Sequence, residues 1–285
     1  MMFKQNGYPA CSYIKQKQAM KKYIHSILTL LFMASLSTLD AQHASSVKGE
    51  EVTYNDGSNT LKGYVAYDEK QQGKRPAILV VPEWWGNNDY TRMRAKMLAE
   101  LGYIAIAVDM YGDGKIAANP TDAQAYATPF YKDPQLGKSR IEAAIKKIIS
   151  YPQADASKLA AIGYCFGGSM VLNAAKMGLD FKGVVSFHGG LAGVPATPGT
   201  TKAKILVCHG GADKFISDAE LKSFKDNLDA VKAPCIFKVY EGATHAFSNP
   251  VATATGKKFS MPIEYNEAAD KQSWTDMKDF FKTIF

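Results

Sequence analysis

Three short loops hold side chains of the types that nucleophilic catalysis uses. Gly163-Tyr164-Cys165-Phe166-Gly167-Gly168 follows an apolar run and leads into a helical one. A nucleophile on such a strand-to-helix turn is aimed outward, above the N-terminus of the following helix. There the helix dipole favours thiolate over thiol, and the N–H of Phe166 points where an oxyanion would form. Residues 163 and 167 must be small because neighbouring backbone comes close to such a turn. The other two loops are Val207-Cys208-His209-Gly210-Gly211-Ala212-Asp213-Lys214 and Glu241-Gly242-Ala243-Thr244-His245-Ala246-Phe247, each after an apolar stretch. Asp213 would fix the tautomer of His245, which would act toward Cys165 first as base and then as acid. Singly, each residue has a plainer reading: an inert buried thiol, a turn or capping acid, a surface histidine. Their conjunction, each just after a strand, favours catalysis.

The elements that must position these loops are legible from periodicity. Residues 51–54 and 61–67 flank Asn55-Asp56-Gly57-Ser58 as an antiparallel hairpin. Continuous apolar runs at 77–81 and 103–108 read as strands covered on both faces. Further strands are expected at 159–164, 184–187, 205–208 and 236–240. Helices are expected at 89–101, 138–151, 168–177, 218–231 and 267–285, where apolar residues recur at helical spacing. Alternation of this kind predicts an α/β fold: a mostly parallel central sheet, helices on both faces, and the hairpin at one edge. Residues 47–285 read as one domain. Residues 112–134, rich in Ala, Tyr and Pro, break the rhythm; by position they could hold a short helix and roof a site.

Composition narrows the function classes. A chain of 285 residues, 46% hydrophobic and 21% charged, is neither disordered nor fibrous. The net charge of +7 is partly a property of the N-terminus: residues 1–41 hold five Lys and one Asp, which leaves 29 basic against 26 acidic residues beyond them. A balance of +3 without a basic cluster argues against nucleic-acid binding. Residues 1–41 read as upstream sequence plus a secretory signal: Lys21-Lys22, a mostly apolar stretch at 23–36, and a small residue, Ala41, before Gln42. That stretch is short for a bilayer span, so export to the periplasm or beyond is expected, with no stable span in the mature chain. Met20 reads as a better translation start than Met1. The four Cys have no metal-ligand spacing and give no zinc-site pattern. Nothing in the sequence speaks to oligomeric state.

In combination, Cys165 in G-Y-C-F-G-G, Asp213 in H-G-G-A-D, His245 in G-A-T-H-A-F and Glu83 in P-E-W-W-G resemble the dienelactone hydrolase family. The order nucleophile, acid, histidine is that of α/β-hydrolases. The resemblance covers about residues 50–285 and implies an α/β-hydrolase domain with a Cys-His-Asp triad and no metal or organic cofactor. It further implies that Glu83 interacts with the resting thiol, and that the N–H of Trp84 joins that of Phe166 in the oxyanion hole. Two departures stand out. Family members that cleave dienelactone hold its carboxylate with two arginines, and the corresponding positions here are Asp113 and Asn249. Dienelactone itself is therefore not the expected substrate; a small neutral ester, lactone or thioester is. Trp85, Asp113, His188 and Asn249 are the candidate substrate-binding residues. A thiol-based redox protein using Cys165 and a non-catalytic binding module on the same fold are the competing classes.

Overall fold

The computed structural model describes residues 46–285. The expected signal segment lies outside them. Val47–Phe285 form one compact unit around an eight-stranded sheet. The strands are β1 (Val47–Asp56), β2 (Asn59–Asp68), β3 (Arg75–Val81), β4 (Ile104–Ala107), β5 (Ala154–Tyr164), β6 (Gly183–Phe187), β7 (Lys204–Gly210) and β8 (Cys235–Tyr240). Their order is β1-β2-β4-β3-β5-β6-β7-β8. The hairpin pairs antiparallel and joins β4 antiparallel; every other pair is parallel. This is the α/β-hydrolase fold.

Burial on both faces explains why the central strands read as unbroken apolar runs. Side chains alternate across a strand. Ala77, Leu79 and Val81 enter one core while Ile78 and Val80 enter the other. The first core is closed by α3 (Pro134–Ile149), α4 (Phe166–Lys176) and α5 (Asp218–Ala230), through residues such as Ile141, Val171 and Phe224. The second is closed by α1 (Asp89–Glu100) and α7 (Glu267–Lys282), through Leu98, Met277 and Phe281. Most helices begin where a short polar side chain accepts a free N–H of the first turn: Asn88 from Thr91, Asp133 from Gln135, Ser217 from Glu220 and Asn266 from Ala269. The exception with functional weight is α4. Its N-cap position is Cys165, which makes no side-chain cap.

Two helices refine the sequence reading. The break at 112–134 holds α2 (Pro120–Lys132), capped by Asn119 with Pro120 at its first position. A further helix, α6 (Ala252–Phe259), lies beyond the His245 loop, where periodicity predicts none. Its buried residues, Ala252 and Gly256, are too small to produce an apolar stripe.

Parallel register brings the chemistry together. Val81 pairs with Gly163, Tyr164 with Phe187, Phe187 with Cys208, and Gly210 with Tyr240. The C-terminal ends of β3, β5, β6, β7 and β8 therefore deliver their loops to one edge of the sheet. The chain runs outward in opposite directions from the β3/β5 pair, which is where open α/β sheets form their crevices.

Candidate active site

Cys165 stands at the end of β5 with φ 50° and ψ −114°, a conformation that L-residues avoid. The close approaches that require glycine are visible at two positions. A Cβ on Gly163 would collide with the carbonyl of Gly167, and one on Gly167 with the carbonyls of Val81 and Pro82. The elbow is also held by hydrogen bonds. The N–H of Cys165 is shared between Phe187 O at 3.0 Å and His188 Nδ1 at 3.2 Å, and Gly167 N donates to Pro82 O at 3.0 Å.

The three candidate residues form a continuous chain. His245 Nε2 lies 3.0 Å from Cys165 Sγ, and His245 Nδ1 lies 2.8 Å from Asp213 Oδ2. The other oxygen, Asp213 Oδ1, accepts the N–H of Phe215 at 2.8 Å, which fixes the carboxylate plane. Burial opposes charge on the imidazole, but Cys165 and Asp213 outweigh it and push His245 up to about 10. A proton is thus held on His245 beside the sulfur. Phe215 packs edge-on against the imidazole with ring centroids 4.9 Å apart.

A cavity of about 330 Å³ opens over Cys165. Trp84, Phe166, Tyr131, Phe215, Ile216 and Met261 give it an apolar wall, and Gln124 and Glu220 add polar edges. Gln124 and Tyr131 come from α2, so the 112–134 segment does border the site. A second cavity of about 210 Å³ adjoins it and shares Glu83, Trp85, Ala246 and Ile263. Phe166 opens α4, so its N–H has no carbonyl one turn back to bind. Tyr111 OH donates to Trp84 O at 2.9 Å and steadies the opposite lip.

Glu83 is 3% exposed. Its Oε2 accepts Asn249 Nδ2 at 2.7 Å, and its Oε1 has no hydrogen-bond partner. Burial outweighs the opposing hydrogen bond from Asn249 and the charges of His245 and Arg94, and pushes the carboxyl up to about 7. The sulfur's hydrogen-bond partner is His245, where the resemblance implied Glu83.

The candidate substrate-binding residues separate. Trp85 lines both cavities and stacks on Phe259 at 5.9 Å. Asn249 lines the smaller cavity but is committed to Glu83 and to the N–H of Val251. Asp113 is exposed and lines neither cavity. Asp109 accepts the N–H groups of Lys62, Tyr111, Gly112 and Gly114, and this turns the segment back so that Asp113 N bonds Thr60 O.

His188 lines neither of these cavities; it is buried beneath the elbow. Accepting at Nδ1, it must carry its proton on Nε2, which lies 2.8 Å from Ser248 Oγ, itself 2.8 Å from Tyr90 OH. Burial, with the charges of His245 and Arg94, holds it well below the usual imidazole range, so it stays neutral. Sequence reasoning missed Tyr131, Phe215, Ile216 and Met261, which lie outside the three motif loops, and also Ser248. Only their proximity to the loops or to the 112–134 break hinted at a role.

A model of the dienelactone hydrolase family matches residues 61–285. The chain belongs to the dienelactone hydrolase family. It is a hydrolase of that family, of the kind that cleaves carboxylic esters. Among its relatives is a Methylorubrum extorquens protein named "Putative carboxymethylenebutenolidase", 28% identical over 74% of this chain and 72% of its own length. A crystal structure of a dienelactone hydrolase-like promiscuous phosphotriesterase from metagenomic libraries is 33% identical, covers 85% of this chain and all of its own, and superposes with a TM-score of 0.80. A dienelactone hydrolase from Anabaena variabilis, 21% identical, covers 75% of this chain and 95% of its own with a TM-score of 0.56, and shares the fold.

Proposed function

We propose that this protein hydrolyses small neutral esters, lactones or thioesters through a covalent intermediate on Cys165, without a cofactor. The observation that carries the reading is the unbroken Cys165–His245–Asp213 chain, at 3.0 and 2.8 Å, on the floor of an apolar cavity. Thiolate sulfur attacks the carbonyl carbon and forms a C–S bond. The resulting oxyanion is received by the N–H groups of Phe166 and Trp84. Collapse breaks the bond to the leaving group, which takes the proton held on His245 Nε2. Water then attacks the thioester with His245 as base, the C–S bond breaks, and the acid departs. Asp213 keeps the imidazole oriented throughout. Glu83, at the partition between the two cavities, is assigned the substrate-triggered deprotonation of any sulfur still protonated.

Neutral substrates are favoured because neither cavity is lined by a Lys or Arg. The redox alternative is weaker: the other described cysteines, Cys208 and Cys235, lie outside the cavity, and His245 and Asp213 have no redox role. A second reading follows from the phosphotriesterase relative: a neutral phosphate triester suits the same cavity, which no Lys or Arg lines, with sulfur attacking phosphorus and the aryloxide leaving. We also propose export, with processing after Ala41, on the Lys21-Lys22 and apolar 23–36 pattern. The test is a parallel screen of p-nitrophenyl esters, thioesters and an aryl phosphate triester with wild type and Cys165→Ala. Unchanged turnover in the variant overturns the covalent reading.

A further inference from the structure

A lysine is almost never fully buried unless it is paired. Lys176, the last residue of α4, is 4% exposed, and its side chain makes none of the hydrogen bonds or ion pairs among the described residues. Its ammonium lies 4.8 Å from the ring centroid of Phe224, and its position in the last turn suits the helix dipole. Neither contact supplies a counter-ion. The groups acting on its charge are burial, which pulls it down to about 8, and the thiol of Cys235. Yet Nζ is not sealed off: it is absent from the buried polar atoms that lack partners, and Lys176 lines a cavity of about 270 Å³.

The rest of that cavity specifies what could neutralise it. Leu191, Val194, Pro195 and Phe224 form an apolar wall. Asn227 spends its Oδ1 on the N–H of Ala196 at 2.7 Å, which leaves its amide N–H groups as donors. Glu220 also lines the cavity, but its Oε1 is occupied by the N–H groups of Leu191 and Ala192, and its charge does not register on Lys176. One cation, one amide donor, the Ser223 hydroxyl and an apolar wall favour a singly charged anion with a hydrocarbon tail. A dianion such as phosphate would keep its second charge uncompensated, since no other Lys or Arg lines the cavity.

We propose that this cavity binds a short-chain monocarboxylate, with the carboxylate on Lys176 Nζ and Asn227 Nδ2 and the alkyl chain against Leu191, Val194 and Pro195. A carboxylic acid is also what ester hydrolysis releases, and Glu220 and the 190–192 loop border both this cavity and the one over Cys165. The site does not depend on the catalytic reading. Competitive trace acetylation with acetic anhydride, read by peptide mass spectrometry, tests it on the whole chain. Sodium butyrate at roughly ten times its Kd should slow acetylation of Lys176 about tenfold. Exposed Lys222 and Lys271 should be unaffected, and sodium chloride at equal ionic strength should protect nothing. Butyrate should raise the melting temperature of wild type and of Lys176→Arg but not of Lys176→Met. Cys165→Ala should give the same protection as wild type, so failure of the catalytic account leaves this result standing. Lys176 acetylated at the same rate with and without butyrate, or protected equally by chloride, would overturn the site; the protection assay decides even if Lys176→Met does not fold.

Discussion

Replacing Glu83 by glutamine should remove a loss of stability that wild type suffers as pH rises, while damaging its catalysis. Glu83 is 3% exposed, and its carboxyl is pushed from the ordinary 4.5 up to about 7, chiefly by burial. Between those values the unfolded chain releases the proton and the folded chain keeps it. Ionisation therefore favours the unfolded state, and the native state loses stability as pH rises from about 4.5 to about 7. At ~1.4 kcal/mol per tenfold change in proton activity, the full loss is about 3 kcal/mol, complete above the folded value. The glutamine of Glu83→Gln would not ionise. Its amide oxygen can still accept Asn249 Nδ2, while its NH₂ takes the place of the unpartnered Oε1 and costs about 1–3 kcal/mol at every pH. That offset cancels in the pH dependence. The assay is the melting temperature of both proteins from pH 5 to 8. The variant should gain on wild type by about 2.5 kcal/mol across that range, or roughly 5–10 °C for a domain of this size. A difference that stays flat would show that Glu83 titrates as an ordinary carboxylate, and the electrostatic picture of the partition between the cavities would be wrong.

The three described thiols should differ sharply toward iodoacetamide. Burial pushes Cys208 up to about 12 and Cys235 up to about 11, so Cys165 should be labelled first, as peptide mapping would show. With His245 held up to about 10, kcat/KM should persist through mildly alkaline pH and fall as the imidazole loses the proton it gives the leaving group; an alkaline limb near 7 would contradict this. Asn249→Arg should raise kcat/KM for carboxylate-bearing esters roughly ten- to a hundredfold relative to neutral ones. Asp113→Arg, outside both cavities, should leave that ratio unchanged, and matched p-nitrophenyl substrates would test the pair. N-terminal sequencing of exported material should begin near Gln42; a form retaining residues 23–36 would point to an anchor instead.

That Cys165, His245 and Asp213 meet could be read from the sequence because the determinants are local. Each residue follows an apolar strand within a few positions, and the glycines at 163 and 167 announce the tight turn. Parallel register then does the rest, since strands ending level must present their loops together. Asp113 could not be placed by counting from Asp109. Its direction is set by Asp109 gathering four N–H groups, and by positive φ at Gly112, Asp113 and Gly114. His188 misled for a similar reason: with φ 42° its ring lies under the elbow instead of beside the substrate. Helix α6 was invisible because Ala252 and Gly256 pack by being small, not by being apolar at helical spacing. The wall residues Tyr131, Phe215 and Met261 converge from three separate loops and helices, a proximity that no local pattern encodes.

The most direct test of the account is to catch the covalent intermediate. Wild type would be mixed with p-nitrophenyl butyrate, quenched in acid within the first turnovers, digested and mapped by mass spectrometry. A butyryl group is expected on the peptide containing Cys165, absent from Cys165→Ala and from enzyme quenched before mixing. This variant should release essentially no p-nitrophenol. Turnover by wild type with no acyl group on Cys165, matched by undiminished turnover in Cys165→Ala, would contradict the covalent mechanism.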